Sequence, residues 1–466
     1  MFIGREKELE SLQDRYESDR FEFVVMRGRR RVGKSTLLKE FCKNKKDVIS
    51  FTAQERNKGK NLIQLSYVVN EYLNVGKSVY VDFDTLFEEI FKKSINTRII
   101  LILDEFPYLA NSDKSLMSML QNMIDKYKKE SKLFLILCGS SISFMEKKVL
   151  AYKAPLYGRS TGQMLIRPFF FNVSQKFFEN YNNIDKVITY SIFGGIPAYL
   201  ETINSKKSLK ENVIKALINT DGYLYDEPNT LIKQELREPA VYNSVIEAIA
   251  DGASTPNVIA TKIYEQKDKV AVYLKKLIEL QIIKREYPIT EKWSTYKSLY
   301  SINDNLFKFW YKFISENKSK IEFDDDKNRI YDKLIEPFLN DYVGKIFEDI
   351  CMEYFLLNIG NYDDKLPFSF DKIGRWWGNN PKEKREEEID FIAFTGAKAA
   401  FGECKWHNAI IGEEVLNDLV RKSELFPAFK EKLYVLFSKA GYTDALKSRA
   451  ACDNRILLIG LDEMFL

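Results

Sequence analysis

Histidine is almost absent from this sequence, since His407 is the single one among 466 residues. Catalysis or metal binding by several histidines is therefore excluded. Cysteine is also scarce: the five cysteines are scattered, odd in number and form no C-x-x-C pair. Such a set is typical of reduced thiols in a cytoplasmic protein, and it argues against a zinc site or a disulfide scaffold.

The sequence has no excess of one charge and no long apolar run. Lys and Arg number 71 against 67 Asp and Glu, which leaves a net charge of +4, so any nucleic-acid binding must come from local patches. No apolar run reaches membrane-spanning length, and the first residues lack the apolar core of a signal peptide. We expect a cytoplasmic protein without membrane contact, built from two to four domains.

The most informative segment is Gly28–Ser35, which matches the G-x-x-x-x-G-K-[ST] phosphate loop. A predicted buried strand precedes it and a predicted helix follows it, so its backbone N–H groups can surround phosphate oxygens at a helix N-terminus. In this ATP site Lys34 neutralises the β- and γ-phosphates and Ser35 binds Mg²⁺. The residues predicted to bind the nucleotide here are Gly28, Arg29, Arg30, Arg31, Val32, Gly33, Lys34, Ser35 and Thr36. The alternative is an ordinary glycine turn before a helix.

Two carboxylates follow a second apolar segment, Ile99–Leu103. Five consecutive apolar residues predict a fully buried strand of a parallel sheet. Asp104 and Glu105 then stand at its C-terminal end, where open α/β sheets place their ligands. We expect Asp104 to bind Mg²⁺ and Glu105 to polarise the water that attacks the γ-phosphate.

Strand and helix patterns alternate up to about residue 225, which predicts an α/β fold with a parallel sheet and helices on both faces. The predicted strands are 22–27, 48–53, 98–104, 132–138 and 162–167. The predicted helices are 35–45, 59–73, 82–94, 112–128, 173–181 and 207–218.

With both phosphate-site elements present, the N-terminal half resembles the archaeal- and bacterial-type P-loop ATPases of the AAA+/STAND group. The segment Phe2–Leu9 resembles the opening F-x-G-R-E-x-E-L of that group. This resemblance implies that the adenine lies against Phe2, Ile3, Gly4 and Arg5. Gly194–Pro197 is similar to the G-x-P element of the group, which implies that Pro197 lies near the nucleotide base.

Two further segments are similar to the group, and they imply candidate catalytic residues. Leu137–Ser141 ends a predicted strand, and its Ser140 is implied as the polar residue that touches the γ-phosphate or the attacking water; capping a helix is the alternative. Pro155–Arg159 matches P-L-Y-G-R of the group. Arg159 is implied to stabilise transition-state charge, in cis or from a neighbouring subunit. Its alternative is a plain surface arginine.

Residues 239–313 predict three short helices (242–250, 256–263 and 269–280) and a hairpin of strands 282–287 and 296–302 around a turn at 290–294. Three helices and a hairpin describe a winged helix-turn-helix, a module that most often binds DNA. The basic residues suited to phosphate contact are Lys269, Lys275 and Lys276 on the third helix and Lys284, Arg285, Lys292 and Lys297 in the wing. A spacer or a protein-docking module is the alternative.

A long helix (338–357) precedes a second α/β region, in which 388–394 and 400–406 predict two strands. Glu403 and Lys405 share one face of their strand, and Asp390 lies beside them if the strands pair. This arrangement resembles the PD-(D/E)XK nuclease fold. The resemblance implies catalysis by Asp390, Glu403 and Lys405, with Mg²⁺ held by Glu348, Asp390 and Glu403 and a water oriented by the lysine. The alternative is a half-buried hairpin with charged outer residues.

The whole sequence therefore predicts a P-loop ATPase domain (1–225), a winged helix-turn-helix (226–315), a charge-rich linker (316–335) and a smaller α/β nuclease-like domain (336–466). This order also resembles a prokaryotic ATPase family with the same architecture. The predicted function is ATP binding and hydrolysis, with ATP and Mg²⁺ as cofactors, coupled to action on DNA. DNA and further copies of the chain are the expected partners. A STAND-type nucleotide switch whose C-terminal modules only bind is the alternative.

Overall fold

The computed structural model describes residues 2–292, 297–358 and 369–465. The chain divides into two compact units. Unit 1 comprises Met1–Pro168 with Ile196–Ala198, and unit 2 comprises Phe169–Gly195 with Tyr199–Leu466. The domain boundaries drawn from the sequence at residues 225, 315 and 335 stay predictions.

The sheet of unit 1 is parallel throughout, in the order β2-β3-β4-β1-β5. Its strands are β1 (Glu22–Arg27), β2 (Val48–Thr52), β3 (Ile100–Asp104), β4 (Phe134–Gly139) and β5 (Gly162–Leu165). Alternate residues of β1 enter separate cores, with Phe23 and Val25 in one and Val24 and Met26 in the other. A strand that is buried on both faces is apolar at consecutive positions, and for this reason the strand could be predicted from the sequence. The predicted α/β parallel-sheet fold is confirmed.

Helices cover both faces of this sheet. They are α1 (Glu6–Glu17), α2 (Lys34–Cys42), α3 (Lys58–Leu73), α4 (Phe83–Lys93), α5 (Phe106–Ser112), α6 (Leu116–Tyr127) and α7 (Ile142–Phe144). The predicted helix 112–128 corresponds to α6, which begins only at Leu116. Asp113 interrupts the helical path after α5, because its side chain accepts hydrogen bonds from the Ser115 N–H and hydroxyl. Across the described ranges of the chain, none of the helices combines the length and apolarity needed to cross a membrane.

Helices also dominate residues 169 to 280. They are α8 (Phe171–Ser174), α9 (Asn183–Phe193), α10 (Pro197–Leu200), α11 (Leu209–Val213), α12 (Glu227–Glu235), α13 (Pro239–Ala250), α14 (Pro256–Lys262) and α15 (Lys267–Glu279). An antiparallel hairpin of β6 (Ile283–Glu286) and β7 (Leu299–Ile302) follows α15. The three helices and the hairpin occur in the predicted order, and the predicted positions Ser294 and Tyr296 lie outside the described residues.

One prediction of local structure is wrong, and the predicted linker has more helix than its charge indicated. The predicted helix 173–181 ends at Phe177, and α9 begins only after Asn182, whose side chain accepts the Asp185 N–H and caps the new helix. The predicted linker 316–335 contains α17 (Lys318–Phe323) and α18 (Lys327–Leu334), after α16 (Asn305–Phe309). These helices form because a few apolar side chains, such as Ile321 and Ile330, are buried among the many charged residues.

The C-terminal part of unit 2 is a second, mixed sheet in the order β12-β11-β10-β9-β8. Its elements are α19 (Glu336–Asn358), β8 (Lys372–Asn380), β9 (Arg385–Thr395), β10 (Lys398–Lys405), α20 (Glu413–Ser423), β11 (Glu431–Ser438), α21 (Asp444–Cys452) and β12 (Ile456–Gly460). Strands β8, β9 and β10 pair antiparallel, and β10, β11 and β12 pair parallel. The predicted pairing of the strands that carry Asp390 and Glu403 is therefore present.

Strands β9 and β10 pack so closely at Gly402 that a larger residue there is expected to destabilise the sheet. A Cβ on Gly402 would lie 2.0 Å from Cε1 of the buried Phe391 ring. We expect Gly402→Ala to lower the free energy of unfolding by about 1–3 kcal/mol, measured by urea denaturation. The control is Gly344→Ala in α19, where a Cβ meets no described atom within 4 Å and helix propensity favours alanine. Equal stability of Gly402→Ala and the wild type would contradict the described packing.

Candidate functional site

The phosphate loop joins β1 to α2 in unit 1. Gly33 has a φ of +87° directly before α2, a left-handed conformation that glycine adopts without a steric penalty. A Cβ on Gly28 would lie 2.4 Å from the carbonyl oxygen of Ile166, and a Cβ on Gly33 would lie 3.6 Å from Cγ of Pro197. The backbone path therefore requires glycine at 28 and 33, and Pro197 lies beside the loop.

Lys34 and Ser35 follow the loop at the start of α2. The buried Lys34 donates from Nζ to the carbonyl oxygens of Gly28 at 2.8 Å and Arg29 at 3.0 Å, and burial lowers its pKa. Ser35 Oγ donates to Asp104 Oδ2 at 2.6 Å. A hydroxyl and a carboxylate in contact are the hard oxygen ligands that Mg²⁺ prefers, so the predicted Mg²⁺ ligands fit the ion.

Glu105 and Ser140 also come together, at the ends of the neighbouring strands β3 and β4. Oε2 of Glu105 accepts hydrogen bonds from Ser140 Oγ at 2.9 Å and from the Ser140 N–H at 3.3 Å. Glu105 has a φ of +51°, which is strained for a residue with a side chain. Capping a helix was the alternative role for Ser140. Ser141 caps the helix instead, because its hydroxyl accepts the Phe144 N–H. Ser140 is thus free to contact the proposed general base.

The opening motif contacts the phosphate loop through Arg5. Its Nη2 donates to the carbonyl oxygens of Val32 at 3.2 Å and Arg167 at 2.6 Å, and its Nη1 lies 3.1 Å from Glu8 Oε1. Burial lowers the pKa of Arg5. The arginine predicted to lie against adenine therefore holds the backbone of the loop, a role that the sequence motif alone did not indicate.

The other predicted nucleotide-binding residues surround this loop. Phe2 packs on the core beneath α2, Ile3 is half-buried, and Gly4 is buried with a φ of +70°. Arg30 Nη2 donates to the Tyr108 hydroxyl at 3.0 Å, which ties the loop to α5. Of the remaining positions, Arg29 and Val32 are buried, Arg31 has a φ of +68°, and Thr36 is exposed.

Arg159 is engaged elsewhere in unit 1. Its Nε lies 3.0 Å from Asp125 Oδ1, its Nη2 lies 2.6 Å from Asp125 Oδ2, and its Nη1 donates to the Pro155 carbonyl at 2.9 Å. Asp125 belongs to α6. A role in stabilising transition-state charge stays a prediction, and it requires this ion pair to open.

Two carboxylates lie close together on the paired strands β9 and β10 of the second sheet. Lys405 Nζ donates to Glu403 Oε1 at 2.6 Å, and Asp390 Oδ2 accepts the Cys404 N–H at 2.7 Å. Both carboxylates are buried. Burial, followed by the charges of Glu403 and Glu348, raises the pKa of Asp390 to about 8. Mutual repulsion of this kind favours a cation between the carboxylates.

Glu348 of α19 is held by Arg375 of β8. Glu348 Oε2 lies 3.1 Å from Arg375 Nη2, and Glu348 Oε1 lies 3.2 Å from Lys345 Nζ. Arg375 also pairs with Glu286 at 3.0 Å and Asp349 at 2.7 Å. Nothing in the sequence distinguished Arg375, because its partners come from two distant segments, at residue 286 and at residues 348–349.

Two of the three carboxylates that were predicted to bind the metal fit a divalent cation. Glu403 Oε2 is buried and accepts no hydrogen bond from the described residues. Mg²⁺ is commonly held by one or two carboxylates together with substrate phosphate oxygens. Within the described part of the chain, no group of three or more His, Cys, Asp or Glu side chains is placed to hold one ion. Asp390 and Glu403 therefore fit the ion, while metal binding by Glu348 stays a prediction.

The basic residues of the middle region differ in their availability. Lys284 lies 3.1 Å from Glu286 and 3.3 Å from Asp349, so it is neutralised within the fold. The Ile289 N–H donates to the Arg375 carbonyl at 2.9 Å, which fixes the hairpin loop against β8. On α15, Lys275 is exposed. In the hairpin loop, Lys292 is exposed as well, so both the helix and the loop present accessible cations.

Comparison with known proteins identifies the family. A model described as an ATPase domain predominantly from Archaea matches residues 2–203, and a model described as archaeal and bacterial proteins of unknown function matches residues 310–419. Uncharacterized protein MJECL04 of Methanocaldococcus jannaschii is 36% identical over 445 residues, which covers 94% of this chain and 96% of that protein. The chain belongs to this family of archaeal-type ATPases.

Two further similarities agree with the ATPase domain. Uncharacterized ATP-binding protein MJ0423 of the same organism is 44% identical over 46 residues, or 10% of this chain and 78% of that protein. The Walker-type ATPase PABY2304 of Pyrococcus abyssi has 19% sequence identity and a TM-score of 0.50, over 66% of this chain and 96% of that one. The latter shows a shared fold. The ATPase is therefore a nucleotide-binding protein of the P-loop class.

The contact of Arg5 with the phosphate loop is expected to support ATP binding. Arg5→Met removes the donor to the Val32 and Arg167 carbonyls, so the loop loses its support in the conformation that binds phosphate. We expect ATP affinity to fall about tenfold, or ~1.4 kcal/mol, in calorimetric titration. Arg20→Met, at an exposed arginine paired with Glu22, is the control. Wild-type affinity in Arg5→Met would show that the contact does not position the loop.

Proposed function

We propose that this ATPase hydrolyses Mg·ATP and acts on DNA, which it contacts through a winged helix and cuts at a metal-dependent nuclease-like site. The observation that supports action on DNA is the pair of buried carboxylates, Asp390 and Glu403, beside the half-buried Lys405 on two paired strands. One carboxylate oxygen accepts no hydrogen bond from the described residues. A carboxylate pair beside a lysine suits metal-assisted hydrolysis of a phosphodiester.

At the ATPase site, Lys34 exchanges the carbonyl oxygens of Gly28 and Arg29 for phosphate oxygens when the nucleotide binds. Ser35 and Asp104 would hold Mg²⁺, which supplies positive charge beside the β- and γ-phosphates. Glu105 then orients and deprotonates the attacking water once its carboxylate leaves Ser140. The hydrogen bonds from Ser140 restrain the base until that point.

A substitution of the general base tests the hydrolysis step. Glu105→Gln keeps the size and hydrogen-bonding capacity of the side chain but cannot take a proton. We expect ATP binding to be retained and phosphate release to slow by about 100-fold or more. Glu40→Gln on the outer part of α2 is the control. Equal hydrolysis rates for Glu105→Gln and the wild type would refute the assigned role.

The DNA contact is assigned to α15. Its exposed Lys269 and Lys275 suit phosphate oxygens, which position a protein without reading sequence. In the hairpin, Lys284 is paired within the fold, while the exposed Lys292 can add a further phosphate contact. This assignment makes DNA binding sequence-independent and strongly dependent on salt.

At the nuclease-like site, Asp390 and Glu403 would hold Mg²⁺, which lowers the pKa of a bound water and offsets the charge that develops on the phosphate. Lys405 lies on the same face as Glu403 and orients that water. Because the pKa of Asp390 is raised to about 8, its carboxyl must lose a proton before it binds a cation.

A plasmid-nicking assay with Mn²⁺ tests action on DNA. We expect the wild type to nick the plasmid. We expect Asp390→Asn to bind a labelled duplex like the wild type in the presence of EDTA but not to nick, because only the metal ligand is lost. The double substitution Lys269→Glu with Lys275→Glu should instead weaken duplex binding and lower the slope of log affinity against log salt by about 2.

The matched control for that assay is Lys206→Glu with Lys447→Glu, which makes the same charge change at two exposed lysines elsewhere. Unchanged DNA affinity in the α15 variant would assign this module to protein docking. Failure of the wild type to nick DNA or RNA with any metal or nucleotide would favour the second candidate function, a nucleotide-dependent switch. The restraint of Glu105 by Ser140 and of Glu348 by Arg375 is the observation that favours that candidate.

A further inference from the structure

A second lysine, Lys422 of α20, faces the carboxylate site. Its side chain is only 11% exposed, and its Nζ lies 3.8 Å from Glu403 Oε2 and 3.0 Å from Asp418 Oδ2. Sequence motifs gave no indication of this residue, because it lies on the helix after the strand that carries Lys405. The fold therefore brings two ammonium groups to one buried carboxylate.

The two oxygens of Glu403 have different environments. Oε1 accepts a hydrogen bond from Lys405 Nζ at 2.6 Å. Oε2 is buried and accepts no hydrogen bond from the described residues, and the distance to Lys422 allows an ion pair but not a hydrogen bond. A buried carboxylate oxygen without a donor is unfavourable, and a bound water, a bound ion or a catalytic role accounts for such an oxygen in a native protein.

The charges explain how Lys422 responds to a bound cation. When Asp390 and Glu403 are ionised, Lys405 and Lys422 neutralise them. A divalent cation on Glu403 Oε2 would lie within a few ångströms of the Lys422 ammonium, and two like charges this close repel strongly in a buried site. The second partner of Lys422, Asp418, is 45% exposed, so the amine also has a partner on the solvent side.

We propose that Lys422 is a second cationic residue of the carboxylate site, which neutralises Glu403 in the metal-free protein and contacts a phosphate oxygen of nucleic acid when a divalent cation is bound. This inference rests on the proposed nuclease-like function. A lysine that only stabilises the buried carboxylate would leave the metal dependence of DNA affinity unchanged, which separates the two roles.

The test uses the full chain and measures binding rather than cleavage. Calorimetry gives the affinity for Mn²⁺, and fluorescence anisotropy gives the affinity for a labelled DNA duplex with and without Ca²⁺. We expect Lys422→Met to bind Mn²⁺ about tenfold more tightly than the wild type, because a competing cation is removed. We expect the same variant to lose the gain in DNA affinity that Ca²⁺ gives the wild type, and Lys422→Arg to retain it.

The control is Lys432→Met, at a lysine that donates to the Ser423 carbonyl at 2.6 Å and does not face the carboxylates. Lys422→Gln replaces Lys422→Met if methionine prevents folding, as judged by the thermal transition. The inference is overturned if the Lys422 variant binds Mn²⁺ no more tightly, or keeps the Ca²⁺-dependent gain, while Asp390→Asn weakens Mn²⁺ binding. If Asp390→Asn leaves Mn²⁺ binding unchanged, the proposed metal site itself is wrong and the inference fails with it.

Discussion

The parallel pairing of β1, β4 and β3 is the constraint on which the nucleotide site depends. Parallel strands end at the same edge of a sheet, so the residues that follow each strand meet there. This edge brings Ser35 to within 2.6 Å of Asp104 and Ser140 to within 2.9 Å of Glu105. The buried apolar runs of the three strands fix the edge, and the polar residues only complete it.

The second site depends on a different arrangement, in which neighbouring residues of two antiparallel strands meet. Antiparallel pairing of β9 with β10 places Asp390 beside Glu403 and Lys405, and α20 adds Lys422. Charges in this region are neutralised within the fold, above all by Arg375, which joins the hairpin, α19 and β8 through Glu286, Glu348 and Asp349. Arg375 thus joins the hairpin to Glu348, the third predicted carboxylate, within unit 2.

The nucleotide site was largely predictable from the sequence, because a phosphate loop depends on local glycines and on its neighbouring strand and helix. All five strands of the first sheet were also predicted, most of them from short apolar runs. The contact of Arg5 with Val32 and the ion pair of Arg375 with Glu348 were not predictable, since each joins segments far apart in the chain. The helices within 316–335 were missed because charge masked a few buried apolar residues.

The loop at residues 28–35 is proposed to bind a triphosphate through Lys34. Calorimetric titration of the full chain with ATP and Mg²⁺, beside the Lys34→Ala variant, tests it most directly. Saturable heat for the wild type and an affinity at least about tenfold weaker for the variant are predicted, because the buried ammonium is the main cation facing the phosphates. Absence of binding heat for ATP, ADP and GTP alike, with the wild type folded, would contradict it.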